Sequence, residues 1–68
     1  MDYKVFDTPY GQVLLRRDYT YVHIETYIDD YIDTEEIIFK NKSSAQFFIK
    51  NYSLASAEKW LYHKQTIS

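Results

Sequence analysis

Ten residues, Tyr19 to Ile28, alternate so regularly that they describe one conformation, an extended strand with two unlike faces. Thr20, Val22, Ile24, Thr26 and Ile28 fall on one side and Tyr19, Tyr21, His23, Glu25 and Tyr27 on the other, because successive strand side chains point to opposite faces. The first set is apolar or β-branched and belongs to a core. The second is amphipathic and belongs at a surface. A strand with one dry face needs neighbours in a sheet and a layer to cover that face, and the remaining residues must supply both.

Upstream, Tyr3-Lys4-Val5-Phe6 is short and β-prone, and Gln12 to Arg16 is extended again. Pro9 and Gly11 take the second and fourth positions of a type I turn between them, so residues 3–16 read as a hairpin. Arg17-Asp18 reads as a polar break. Downstream, Asp29 to Thr34 interrupts the alternation, and Glu35 to Lys40 resumes it with Ile37 and Phe39 on one face and Ile38 on the other.

The period then changes. Ser43-Ser44-Ala45-Gln46 fits a capping box, and Ala45, Phe48, Ile49 and Tyr52 follow at helical spacing. Leu54, Ala57, Trp60 and Leu61 form a second apolar stripe, rotated by roughly 110–120° from the first on one helical wheel. A straight helix would aim the two stripes in different directions. The spacing therefore predicts a break at Asn51-Tyr52-Ser53, with Ser53 capping a second helix to about His63; one kinked helix is the alternative. Strands followed by helices, without alternation, indicate an α+β fold: an antiparallel sheet of three to four strands with one kinked or two short C-terminal helices on one face, in a single domain spanning residues 1–68.

At 68 residues with no cysteine, disulfides and thiolate metal sites are excluded, and small domains of this kind lean on association with a partner or a second copy. One glycine and one proline argue against disorder. The opening residues show no basic segment followed by an apolar one, and no apolar run approaches the roughly 20 residues that span a bilayer, which leads to the expectation of a cytoplasmic protein without membrane contact.

No motif with defined chemistry is present. His23 and His63 sit on different elements with no nucleophile signature around them; His63 in a last helical turn suits the helix dipole. A phosphate-cradling loop needs several glycines, and Gly11 stands alone. The acids of residues 29–36 fail the calcium-loop pattern, with Thr34 in the sixth position and Lys40 in the twelfth, where glycine and glutamate belong. No catalytic residue, metal or cofactor is assigned, and we expect no enzyme.

Charge is segregated instead. From Asp18 to Glu36 there are seven acids and no lysine or arginine, and from Lys40 to Ser68 five lysines and one acid, Glu58. The segments carry −7 and +4 against −2 overall, an asymmetry that suggests surfaces of opposite sign. Tyr19, Tyr21, Tyr27 and Tyr31 lie in the acidic stretch, and tyrosine supplies rigid contact area with a polar tip. Carboxylates along a strand can stand where phosphates stand along a nucleic-acid backbone, and a basic groove built for phosphate is attracted to both. The candidate partner-binding residues are thus Tyr19, Tyr21, Glu25, Tyr27, Asp29, Asp30, Tyr31, Asp33, Glu35 and Glu36. Direct nucleic-acid binding would have to use Lys40, Lys42, Lys50, Lys59 and Lys64, against a sequence pI of about 5.5 that lacks the basic footprint. A homodimer pairing acidic strand face with lysine face is a further alternative, and so is simple neutralisation of one by the other within the domain.

In the acidic region Val22 to Glu36 and the closing helix Ser53 to Leu61, the chain resembles small accessory proteins of bacteriophages and mobile elements, anti-CRISPR and anti-restriction proteins among them. The resemblance is one of general style and rests on no diagnostic motif. It implies a non-enzymatic inhibitor, acting in the host cytoplasm, that binds a host nuclease or ribonucleoprotein and occludes its nucleic-acid channel.

Overall fold

A computed structural model describes residues 2–67. Four strands, β1 (Tyr3–Thr8), β2 (Gly11–Asp18), β3 (Tyr21–Ile28) and β4 (Tyr31–Ile38), precede two helices, α1 (Lys42–Asn51) and α2 (Leu54–Ile67). The strands form an antiparallel meander in the order β1-β2-β3-β4, joined by the two-residue turns Pro9-Tyr10, Tyr19-Thr20 and Asp29-Asp30. The fold is α+β, with both helices on one face.

That face is built from in-register rows. Phe6, Val13 and Thr26 form one, Lys4, Leu15 and Ile24 the next, and Arg17, Val22 and Ile37 a third. Val13, Leu15, Val22 and Ile24 are buried against Ala45 and Ile49 of α1 and Ala57 and Leu61 of α2. Each fully buried Leu, Ile or Val contributes roughly 1.5–3 kcal/mol. Alanine at 45 and 57 lets the helix backbones come close to the sheet. Phe6, Tyr52, Phe48 and Phe39 pack ring to ring along this layer, with centroids 5.3–5.7 Å apart, and Trp60 Nε1 donates to Thr26 Oγ1 at 2.8 Å.

Gly11 occupies a position closed to other residues. Its φ is +148°, and a Cβ there would lie 2.4 Å from the Tyr27 carbonyl oxygen. The hairpin turn therefore sits where Pro9 and Gly11 predict it. Ser53 caps the second helix as expected, its Oγ accepting from the Ser56 amide at 3.3 Å, and the chain leaves helical geometry at Tyr52 and Ser53.

Several boundaries differ from the sequence reading. Tyr19 and Thr20 form a turn rather than the start of β3, with Tyr19 at φ +58°. Arg17 lies inside β2, 6% exposed, because its charge is met internally: Nε donates to Asp2 Oδ2 at 2.6 Å and Nη1 to the Tyr19 carbonyl at 2.8 Å. β4 begins at Tyr31, so Asp33 and Thr34 are strand rather than loop. The cap of α1 is Asn41, whose side chain accepts from the Ser44 amide at 2.8 Å, not Ser43. Leu54 is 52% exposed, since it starts α2 beyond the sheet's cover, and α2 continues past His63 to Ile67, which places His63 more than a turn before the helix end.

Lys4 points inward from edge strand β1, and its ammonium donates to the Lys50 and Tyr52 carbonyls, both at 3.0 Å. It thereby satisfies carbonyls that the end of α1 leaves open.

Among the described residues one buried side-chain group is unsatisfied. The Tyr52 hydroxyl is enclosed and, among the described residues, has no hydrogen-bond partner; burial pushes its phenol up to about 12. Removing an unpaired buried polar group stabilises, so Tyr52→Phe should gain about 1 kcal/mol and raise Tm by about 4–8 °C, measured by thermal unfolding. An unchanged or lower Tm would contradict the assignment.

The Arg17 hydrogen bond holds the Asp2 carboxyl below its ordinary value of 3.8, aided by the guanidinium charge and opposed by desolvation. A depressed native pKa contributes stability above the unfolded value, lost as pH falls through the native one. Urea midpoints of the native chain and of Asp2→Asn should thus differ by a constant amount above pH 5, and the gap should close below about pH 4.

Candidate protein-binding face

Among the described residues no element covers the sheet's other face. The register that buries Val13, Leu15, Val22 and Ile24 turns their neighbours outward, and the meander gathers those into rows. Tyr3, Arg16, His23 and Glu36 form one row, Val5, Leu14, Glu25 and Thr34 the next, and Asp7, Gln12, Tyr27 and Ile32 a third, with Asp18, Tyr21 and Ile38 at one end. Adjacent strands lie roughly 4.8 Å apart, so each row is a line of side chains in mutual reach.

Large apolar groups stand in water here: Tyr3, Val5, Ile32 and Ile38 are each more than half exposed, and Tyr21 nearly so. Asp7, Asp18, Glu25 and Glu36 are interleaved with them, and among the described residues Arg16 is the one lysine or arginine on the face, a net of −3. The face is pre-ordered locally. Tyr27 Oη donates to Glu25 Oε2 at 2.5 Å, and that hydrogen bond holds the Tyr27 phenol above its usual range, with desolvation adding to it. His23 Nδ1 lies 3.4 Å from Glu36 Oε2, and Gln12 Nε2 donates to Asp7 Oδ1 at 3.3 Å.

The ten residues singled out from sequence are thereby divided among four places. Tyr21, Glu25, Tyr27 and Glu36 come together on the open face. Asp29 and Asp30 form the β3–β4 turn at one end of the sheet, and Tyr19 lies in the β2–β3 turn at the other. Tyr31 opens β4 opposite Ile28, in line with the helix-facing residues, and is 46% exposed. Asp33 and Glu35 turn to the helix side, where the Lys64 ammonium donates to Asp33 Oδ2 at 2.9 Å and to Glu35 Oε2. Lys64 also stands 4.8 Å from the Trp60 ring centroid and is held above the ordinary lysine range by Glu35 first and Asp33 second.

Sequence reasoning missed Tyr3, Val5, Asp18, Ile32 and Ile38 as members of the face. The missing information was register: once the turns at Pro9-Tyr10 and Tyr19-Thr20 are two residues long, parity alone puts Tyr3, Val5 and Asp18 beside Tyr21 and Glu25. Among the described residues no helix is long and apolar enough to cross a membrane. Compared with protein-family profiles, with curated proteins and with solved structures, the chain finds no match.

The Lys64 arrangement has a testable consequence. Lys64→Met leaves two carboxylates side by side on one strand face without their counter-charge, so its urea midpoint at neutral pH should fall. Adding Asp33→Asn and Glu35→Gln removes the repulsion and should restore most of the loss. A triple variant no better than the single one would show that Lys64 acts through packing on Trp60 instead.

Proposed function

We propose that this chain is a non-enzymatic binding protein that uses its open sheet face to occlude a basic, nucleic-acid-handling surface on a protein partner, in the manner of a phage-encoded anti-CRISPR or anti-restriction inhibitor. The observation that carries the reading is the composition of the uncovered face, where Tyr3, Tyr21, Tyr27, Ile32 and Ile38 alternate with Asp7, Asp18, Glu25 and Glu36. Exposed apolar and aromatic groups among acids suit a partner that is basic and carries hydrophobic surface of its own. The carboxylates steer the encounter and pair with lysine or arginine, while the tyrosines provide contact area with little side-chain entropy to lose. Bare single-stranded nucleic acid suits this face poorly, since four carboxylates stand where its phosphates would run. Asp29 and Asp30, at the end of the sheet, extend the acidic rim.

The test is an affinity pull-down of the tagged chain from bacterial lysate, with and without nuclease treatment. The expected result is a discrete nuclease or ribonucleoprotein that survives treatment. Recovery of nucleic acid alone, lost on treatment, would overturn the reading in favour of the exposed helical lysines. With the partner in hand, Asp18→Lys combined with Glu36→Lys should weaken binding by about tenfold or more, at roughly 1 kcal/mol or less for each ion pair lost and more where like charges now meet, and should flatten its salt dependence while circular dichroism stays native. Affinity unchanged by that reversal would remove the acidic face from the interaction.

A further inference from the structure

The sheet ends in two unlike edges. Among the described residues the outer sides of β1 and β4 are unpaired. The Phe39 amide donates to the Thr20 carbonyl at 2.9 Å, and that bond fixes which main-chain groups of β4 face outward. Along an antiparallel pair, residues alternate between those bonded to the neighbouring strand and those turned away from it. Tyr31, Asp33, Glu35 and Ile37 keep step with Phe39 and bond to β3, opposite Ile28, Thr26, Ile24 and Val22. The amides and carbonyls of Ile32, Thr34, Glu36 and Ile38 are therefore directed away from the sheet. All four residues are exposed, and their side chains belong to the open face.

Such an edge is a template for a further strand unless something blunts it. β1 is blunted: it is six residues long, it stops at Pro9, and it turns Lys4 inward to the end of α1. β4 is eight residues long and contains no proline, glycine, lysine or arginine. The helices pack mainly on β1, β2 and β3, so β4 lies at the margin of their cover. Ile32 and Ile38 are 65% and 68% exposed, and β-branched side chains of this kind suit a neighbouring strand.

Charge indicates what the edge takes. Asp33, Glu35 and Glu36 against Lys64 leave −2 on the strand, and Asp29 and Asp30 stand at its turn. Lys40 lies past its far end, and Lys59 shares a hollow with Ile37 on the helix side. A second copy suits this edge poorly. Antiparallel self-pairing about a two-fold axis at Thr34, Glu35 or Glu36 sets Asp33 against Glu35, Glu35 against Glu35 or Glu36 against Glu36, and like charges directly opposite are destabilising. Free main-chain donors and acceptors in strand register call for an extended polypeptide, and the acids call for a basic one.

We propose that the outer edge of β4 takes an extended, basic segment of a partner protein as a fifth strand, by strand addition. Main-chain hydrogen bonds to Ile32, Thr34, Glu36 and Ile38 hold the segment. Its apolar side chains lie beside Ile32 and Ile38 on the open face, and its lysines or arginines lie beside Asp33 and Glu35 on the other. The inference rests on the reading of the open face as the site of a basic protein, and it names how the β4 margin of that site makes contact.

Amide hydrogen exchange followed by NMR tests it. The probe is a synthetic peptide of about 10 residues alternating Lys with Val, added to the full chain; the comparison peptide has Glu in place of Lys. The Lys peptide should slow exchange at Ile32, Thr34, Glu36 and Ile38 by about tenfold or more, with Tyr3, Val5 and Asp7 of β1 unchanged, and the Glu peptide should not. Protection at alternate residues is the mark of strand pairing and is not produced by side-chain contact. Thr34→Pro removes the outward amide at the middle of the edge without taking a bond from the β3–β4 ladder, and should abolish the protection at Ile32 and Glu36. If that variant loses its native circular dichroism, Ile32→Lys combined with Ile38→Lys replaces it, since both side chains are exposed. Unchanged exchange, equal protection by both peptides, or protection that survives the edge variant overturns the proposal. So does slow exchange at these amides without peptide, together with a mass that rises with concentration, which would show a second copy on the edge. With the natural partner in hand, binding weakened by Asp18→Lys with Glu36→Lys but not by Thr34→Pro would overturn strand addition and leave the open-face reading standing.

Discussion

Everything in this fold follows from burial on one side of a four-stranded sheet. Two helices supply the apolar surface that covers the rows holding Val13, Leu15, Val22 and Ile24, and among the described residues no element lies on the other face. The contact is close because the helices present Ala45 and Ala57 to the sheet, backed by Ile49 and Leu61. Among the described residues eight apolar side chains form the buried core, a small number, and stability at this size is marginal. The periphery is then defined by inward-pointing cations. Lys4 reaches from edge strand β1 to the end of α1, Lys64 reaches from α2 to edge strand β4, and Arg17 joins the far end of β2 to Asp2 and Tyr19. Such partly exposed pairs add little energy individually. Their effect is positional: each fixes where an element meets the sheet.

The same one-sidedness changes the meaning of the charge pattern. A run of seven acids along the chain is not a surface of seven acids, because a meander distributes consecutive residues between two faces and two ends. Asp33 and Glu35 are drawn to the helix side and matched by Lys64, Asp29 and Asp30 are carried to a turn, and Asp7, far earlier in the sequence, joins the open face through its pairing with Gln12. Part of the segregation is therefore neutralised within the domain. What remains outward is a smaller net of −3 that is richer in aromatic and aliphatic surface, which suits a mixed protein interface better than an imitation of nucleic acid by charge alone.

Legibility in the sequence tracked how far each element obeys local rules. The body of β3, the break after Asn51 and the Ser53 cap are local patterns and could be read directly. β4 could be read only in its second half, from Glu35 on; its first half could not, because helix-facing Asp33 is an acid, and a pattern rule assigns acids to solvent unless the distant Lys64 is known. Arg17 failed in the same way, its burial depending on Asp2 across the hairpin. Asn41 and Ser43 are both competent caps, and the choice between them depends on where β4 ends, which the Phe39 amide settles by pairing with the Thr20 carbonyl at 2.9 Å. The open face was half legible: Tyr21, Glu25 and Tyr27 from alternation alone, Tyr3 and Ile38 only with register.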